Sequence, residues 1–84
     1  MKRAKRGGLR RNAAVAAGNL KDPAMVPPLL QALHDSDPVI RGHSAWALGQ
    51  IGGADARSGL EAALDQEGDT DVIEEIRLAL ECDG

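Results

Sequence analysis

The 84 residues make one small domain in which Trp46 is the only aromatic side chain, so any core must rest on Leu, Ile, Val and Ala. An alanine-rich composition with 27% charged residues and Cys82 as the only cysteine excludes disordered, fibrous and disulfide-framework classes, and a lone thiol fits a reducing compartment. The net charge of −3 hides a dipole: the first eleven residues hold six of the ten basic side chains and no acid, and the remaining 73 carry a balance of −9. A basic end on an acidic body points to a local anion-binding surface such as RNA phosphate, and equally to a solvated arm.

The start, Met1-Lys2-Arg3-Ala4-Lys5-Arg6, reads like the n-region of a signal peptide, but Gly7, Gly8, Arg10, Arg11 and Asn12 interrupt what would have to be apolar. The run Ala13 to Ala17 is too short for an h-region or a membrane span. A cytoplasmic protein with no membrane partner is expected.

The first helix is expected from Leu9, Ala13, Ala16, Ala17 and Leu20, which recur at helical spacing until Lys21-Asp22-Pro23 stops them. Asp22 as N-cap and Pro23 at the first position launch a second helix to about His34, with Pro28 bending it or delaying its start. Asp35-Ser36-Asp37-Pro38 repeats the stop and cap, and the third helix carries Val39, Ile40, Ala45, Trp46, Leu48 and Ile51 to Gly52-Gly53. The fourth covers about Asp55 to Gln66 with Leu60, Ala63 and Leu64 inward. After Glu67-Gly68-Asp69-Thr70, the fifth covers about Asp71 to Glu81 and uses Val72, Ile73, Ile76, Leu78 and Leu80.

Two of these helices share one phrase. Ala14-Val15-Ala16-Ala17-Gly18-Asn19-Leu20 and Ala45-Trp46-Ala47-Leu48-Gly49-Gln50-Ile51 lie 31 residues apart, and the same offset pairs Arg10 with Arg41, Leu29 with Leu60, Ala32 with Ala63 and Leu33 with Leu64. A unit of this length is a helix pair that buries its apolar face only by stacking on its neighbours. The expected architecture is therefore all-α, a short α-solenoid of about five helices. Residues 1–7 form a basic segment, 8–37 a first unit, 38–67 a second and 68–84 a capping half-repeat. One continuous core should contain Trp46, Leu48, Ile51, Leu29, Leu33, Leu60, Leu64 and Ile76.

Gly18 and Gly49 have a structural role in this scheme, letting the chain turn or a neighbouring helix approach, with Ala14, Ala16, Ala45 and Ala47 assisting as small residues. Arg41 lies four residues after Asp37, the spacing of a helical ion pair. Arg10 has no equivalent upstream acid, which leaves its charge to face a ligand.

Catalytic chemistry is sparse. His34 and His43 are nine apart with Cys82 distant, unlike a zinc site, and the adjacent His43 and Ser44 diverge on a helix instead of forming a base and nucleophile. Asp69, Asp71, Glu74 and Glu75 read as a solvated acidic face, and Gly7-Gly8 belongs to no phosphate-binding pattern. No catalytic, cofactor or metal residue is assigned.

The stretch from Lys2 to Asn19, with Arg10-Arg11-Asn12-Ala13 at its centre, and Arg41-Gly42-His43-Ser44-Ala45-Trp46-Ala47-Leu48-Gly49 resemble the C-terminal HEAT-like repeats of epoxyqueuosine reductases, of the kind also found beside phycobilin lyases. Glu67, Val72, Glu75 and Ile76 agree with that family's closing helix, whereas Ala17 replaces its usual leucine. The resemblance implies a parent that completes the tRNA base queuosine with cobalamin and two iron–sulfur clusters held in upstream domains. Clusters need groups of cysteines, so this chain is expected to hold no cofactor and to be catalytically silent. It further implies that the repeats help hold a tRNA anticodon stem-loop, with Lys2, Arg3, Lys5, Arg6, Arg10 and Arg11 as RNA contacts. The upstream catalytic domains would then be a partner. The alternative is a free-standing HEAT-like module that binds another protein.

Overall fold

The computed structural model describes residues 11–81, with side chains from Ala14 onward. Its α-helices are α1 (Arg11–Leu20), α2 (Val26–Ala32), α3 (Pro38–Ile51), α4 (Ala54–Gln66) and α5 (Thr70–Glu81), with a 3-10 turn at Pro23–Met25 leading into α2. The expected all-α repeat is what forms.

Aspartates start three of the helical segments. Asp22 Oδ1 accepts from the Ala24 N–H at 3.0 Å and Asp37 Oδ1 from the Val39 N–H at 2.9 Å, each followed by a proline whose missing N–H costs nothing at a helix start. Asp69 does the same for α5, accepting from Asp71 at 2.9 Å and Val72 at 3.2 Å. The proline conflict after Pro23 is resolved by the 3-10 turn: the α-helix proper begins only at Val26, which places Pro27 and Pro28 in its first turn. α2 is accordingly shorter than the sequence suggests, ending at Ala32 and not at His34.

At the other end of each first helix the backbone turns through the left-handed region. Gly52 (φ 77°) and Gly53 (φ 96°) end α3, and the Gly52 N–H closes on the Leu48 carbonyl at 2.8 Å. The position equivalent to Gly52 in the first unit is Lys21, which takes φ 54° and donates to the Ala17 carbonyl at 2.9 Å. A side chain there is strained.

α3 is the central element, packed against α1 on one side and α5 on the other, while α2 and α4 pair beneath it. The core includes Ala14, Ala17, Leu29, Leu33, Ala45, Ala47, Leu48, Leu60, Ala63, Val72, Ile76 and Ala79. Gly18 and Gly49 set the spacing of the upper layer. A Cβ built on Gly18 would overlap the Trp46 ring and lie 3.0 Å from the Ala47 Cα, and one on Gly49 would lie 2.8 Å from the Ala79 Cα.

Several inward assignments fail for angular reasons. At 100° per residue Ala14, Ala17 and Gly18 form one stripe of α1, and Ala16 and Leu20 point away from it; Leu20 is 75% exposed and Ala16 is exposed too. Val39 (46%) and Leu78 (49%) are likewise largely exposed. Trp46, Ile51 and Leu64 pack against the core without being enclosed by it. Leu9 lies outside the described residues, as does the side chain of Ala13.

Candidate functional site

Of the basic residues expected to contact RNA, Lys2, Arg3, Lys5, Arg6 and Arg10 lie outside the described residues. Arg11 opens α1 and its side chain is not among those described. The described side chains include four arginines and lysines, Lys21, Arg41, Arg57 and Arg77, against twelve carboxylates.

Arg41, the repeat counterpart of Arg10, has a defined task. Its Nε and Nη2 donate to the two carboxylate oxygens of Glu67, each at 2.9 Å, and its Nη1 donates to the Asp35 carbonyl at 2.8 Å. The expected pairing with Asp37 does not form, because Asp37 Oδ1 is committed to capping α3. The fork ties the loop before α3 to the loop before α5. Those loops are built alike: the Asp37 N–H donates to Asp35 Oδ1 at 2.8 Å, and the Asp69 N–H donates to Glu67 Oε2 at 3.1 Å. Glu67 therefore stands at the loop position equivalent to Asp35, a correspondence visible as two acid-x-Asp steps 32 residues apart. That signal could have identified the partner of Arg41.

The Glu67 side chain is only 5% exposed, and its burial pushes the carboxyl pKa up. The hydrogen bond from Arg41, the Asp69 N–H and the Arg41 charge outweigh that penalty and hold it below the ordinary value. The hydrogen bond to Glu67 in turn raises the Arg41 pKa, so both partners stay ionised near neutrality.

A groove of about 500 Å³ lies across α1, α3 and α5. Val15, Pro38, Val39, Gly42, Trp46 and Val72 supply apolar wall and floor, and His43, Asp69, Asp71 and Glu75 supply polar groups. The His43 Nδ1 is 2.8 Å from the Val39 carbonyl, which can only accept, so Nδ1 carries hydrogen and Nε2 remains an acceptor in the neutral ring. Trp46, placed in the core by the repeat pattern, is half-buried at this groove because its ring lies over the gap left by Gly18.

Among the described residues no group of three or more His, Cys, Asp or Glu side chains is arranged to hold a metal ion, and no helix is long and apolar enough to cross a membrane. Cys82 lies outside them.

A model of HEAT repeats matches residues 2–81. The chain belongs to the HEAT-repeat family. It is 42% identical over 74 residues to an uncharacterized protein in the gldA 3′ region of Geobacillus stearothermophilus, covering 87% of this chain and 34% of that one. It is 39% identical over 74 residues to the epoxyqueuosine reductase of Bacillus cereus, covering 87% of this chain and 20% of the reductase. The fold superposes with a TM-score of 0.81 and 41% identity on a crystal structure of epoxyqueuosine reductase with a tRNA-Tyr epoxyqueuosine-modified stem-loop, covering 86% of this chain and 20% of that protein. The HEAT-like chain thus resembles a segment of the reductases and spans about a fifth of their length.

Proposed function

We propose that this HEAT-repeat module holds the anticodon stem-loop of a tRNA for a queuosine-forming reductase and performs no chemistry itself. The observation that carries this reading is the likeness, at 41% identity, to a reductase solved with a tRNA-Tyr stem-loop. Electrostatics restrict where the RNA can lie. The described body is acidic and repels phosphate, so contacts fall to the basic segment of Lys2, Arg3, Lys5, Arg6, Arg10 and Arg11. With no Phe or Tyr available and Trp46 packed over Gly18, the module grips shape and charge and leaves base reading to other domains. Cobalamin, iron–sulfur clusters and epoxide reduction belong to those upstream domains, the module's natural partner in the cytoplasm. The functional units run over 1–7, 8–37, 38–67 and 68–84.

A fluorescence-anisotropy titration of a tRNA-Tyr anticodon stem-loop at low salt should give saturable, weak binding. No binding even at low salt overturns the RNA reading. The non-catalytic reading has its own test. Anaerobic reconstitution with iron, sulfide and cobalamin should leave no absorbance band on the chain after gel filtration, and a band that persists contradicts it.

A further inference from the structure

We infer that the groove across α1, α3 and α5 is a docking seat for an arginine- or lysine-bearing segment of a protein partner, distinct in chemistry from any RNA contact. Among the described residues, and apart from the indole N–H, its polar lining consists of the carboxylates of Asp69, Asp71 and Glu75 and of His43, whose Nε2 is an acceptor in the neutral ring. Such a lining repels phosphate and complements a cation rich in N–H donors. The exposed apolar surface of Val39 and the half-buried edge of the indole suit the methylene stem of a long basic side chain, whose charged head then meets the carboxylates. Gly42 keeps the floor open, since a Cβ there would meet only Glu75 Cγ, at 3.8 Å. Asp69 is engaged in capping α5, whereas Asp71 and Glu75 have no such duty and are the charges available to a ligand.

The test uses the full chain and an acetylated, amidated nine-residue peptide of alternating arginine and alanine, with a citrulline-for-arginine peptide as the neutral isostere. Trp46, the only tryptophan, reports occupancy by fluorescence, and calorimetry gives the affinity. Saturable binding of the arginine peptide is expected, with affinity lower by about tenfold for the citrulline peptide. The double variant Asp71→Asn, Glu75→Gln should weaken it by a similar factor at unchanged circular dichroism. Gly42→Ala should also weaken it, while raising the thermal midpoint through better helix propensity, a combination that damage to the fold cannot mimic. Arginine-peptide affinity unchanged in both variants, or equal binding of the citrulline peptide, overturns the proposal. So does a stem-loop RNA whose quenching of Trp46 is lost in the double variant, since the groove would then face RNA. Self-association of the chain that the double variant abolishes also contradicts it, by making the occupant a second copy.

Discussion

The two junctions of the upper layer place a glycine at the same repeat position and use it differently. Between α1 and α3, the space above Gly18 is taken mainly by the Trp46 ring, with the Ala47 Cα at 3.0 Å from a built Cβ. Between α3 and α5, the space above Gly49 is taken by backbone, the Ala79 Cα at 2.8 Å and its carbonyl oxygen at 3.2 Å. A ring can tilt, but a helix backbone cannot retreat without carrying its helix with it. Arg41 and Glu67 tie together the loops that enter α3 and α5. Equivalent sequence positions therefore meet mainly a ring at one joint and backbone at the other, and the difference comes from the neighbour, not from the glycine.

Substitution by alanine at the two glycines probes that contrast most strongly. Gly49→Ala should lose about 2–3 kcal/mol even after the gain in helix propensity, because the added methyl strikes backbone. In a domain of this size each kcal/mol lowers the thermal midpoint by roughly 4–8 °C. Gly18→Ala should lose only about 1 kcal/mol, the indole moving aside; equal losses at the two sites would erase the distinction between the joints. Between these lies the tie between the loops. Arg41→Ala strands a Glu67 carboxylate that is 5% exposed and should cost about 2 kcal/mol by urea denaturation.

The same tie makes stability sensitive to acid. Glu67 has a folded-state pKa below its ordinary value of 4.5, so its contribution is fully present above that value and is lost as pH falls through the lowered folded pKa. Wild type should lose stability steeply below about pH 4.5 and Glu67→Gln should show a shallower acid limb, whereas parallel limbs would remove the carboxylate from the account. The smallest effect concerns the first unit's turn. Lys21→Gly removes a side chain from the left-handed region and should raise stability by about 0.5–1 kcal/mol, bringing that turn to the form Gly52 already has. A loss on thermal melting would show that Lys21 makes a contribution its backbone strain does not reveal.

The repeat made much of this fold legible. Cap and proline pairs at Asp22-Pro23 and Asp37-Pro38 fix where helical segments start, because both residues act through local backbone chemistry. Trp46 was less legible: large apolar residues at helical spacing read as core, and only the helix contact at Gly18 brings its ring to a surface groove. The partner of Arg41 is signalled only indirectly, by the repeated acid-x-Asp step. An i,i+4 acid is visible along the chain, but the loop that delivers Glu67 lies 26 residues away and is brought near by stacking. The groove itself has no linear signature, being assembled from three helices.

The central claim is that the basic segment, and not the folded body, meets RNA, and the salt dependence of stem-loop affinity tests it most directly. Affinity should fall linearly in log–log form with a slope of about −0.7 to −0.9 per phosphate contact, with at most six contacts available from this segment. Replacing Lys2, Arg3, Lys5 and Arg6 by Gln should flatten the slope by up to about three units while circular dichroism is unchanged. Arg10→Gln, Arg11→Gln should flatten it by up to about two; since the repeat counterpart of Arg10 is the structural Arg41, its thermal midpoint must be followed in parallel. Binding whose slope is the same in wild type and in both variants would contradict the account.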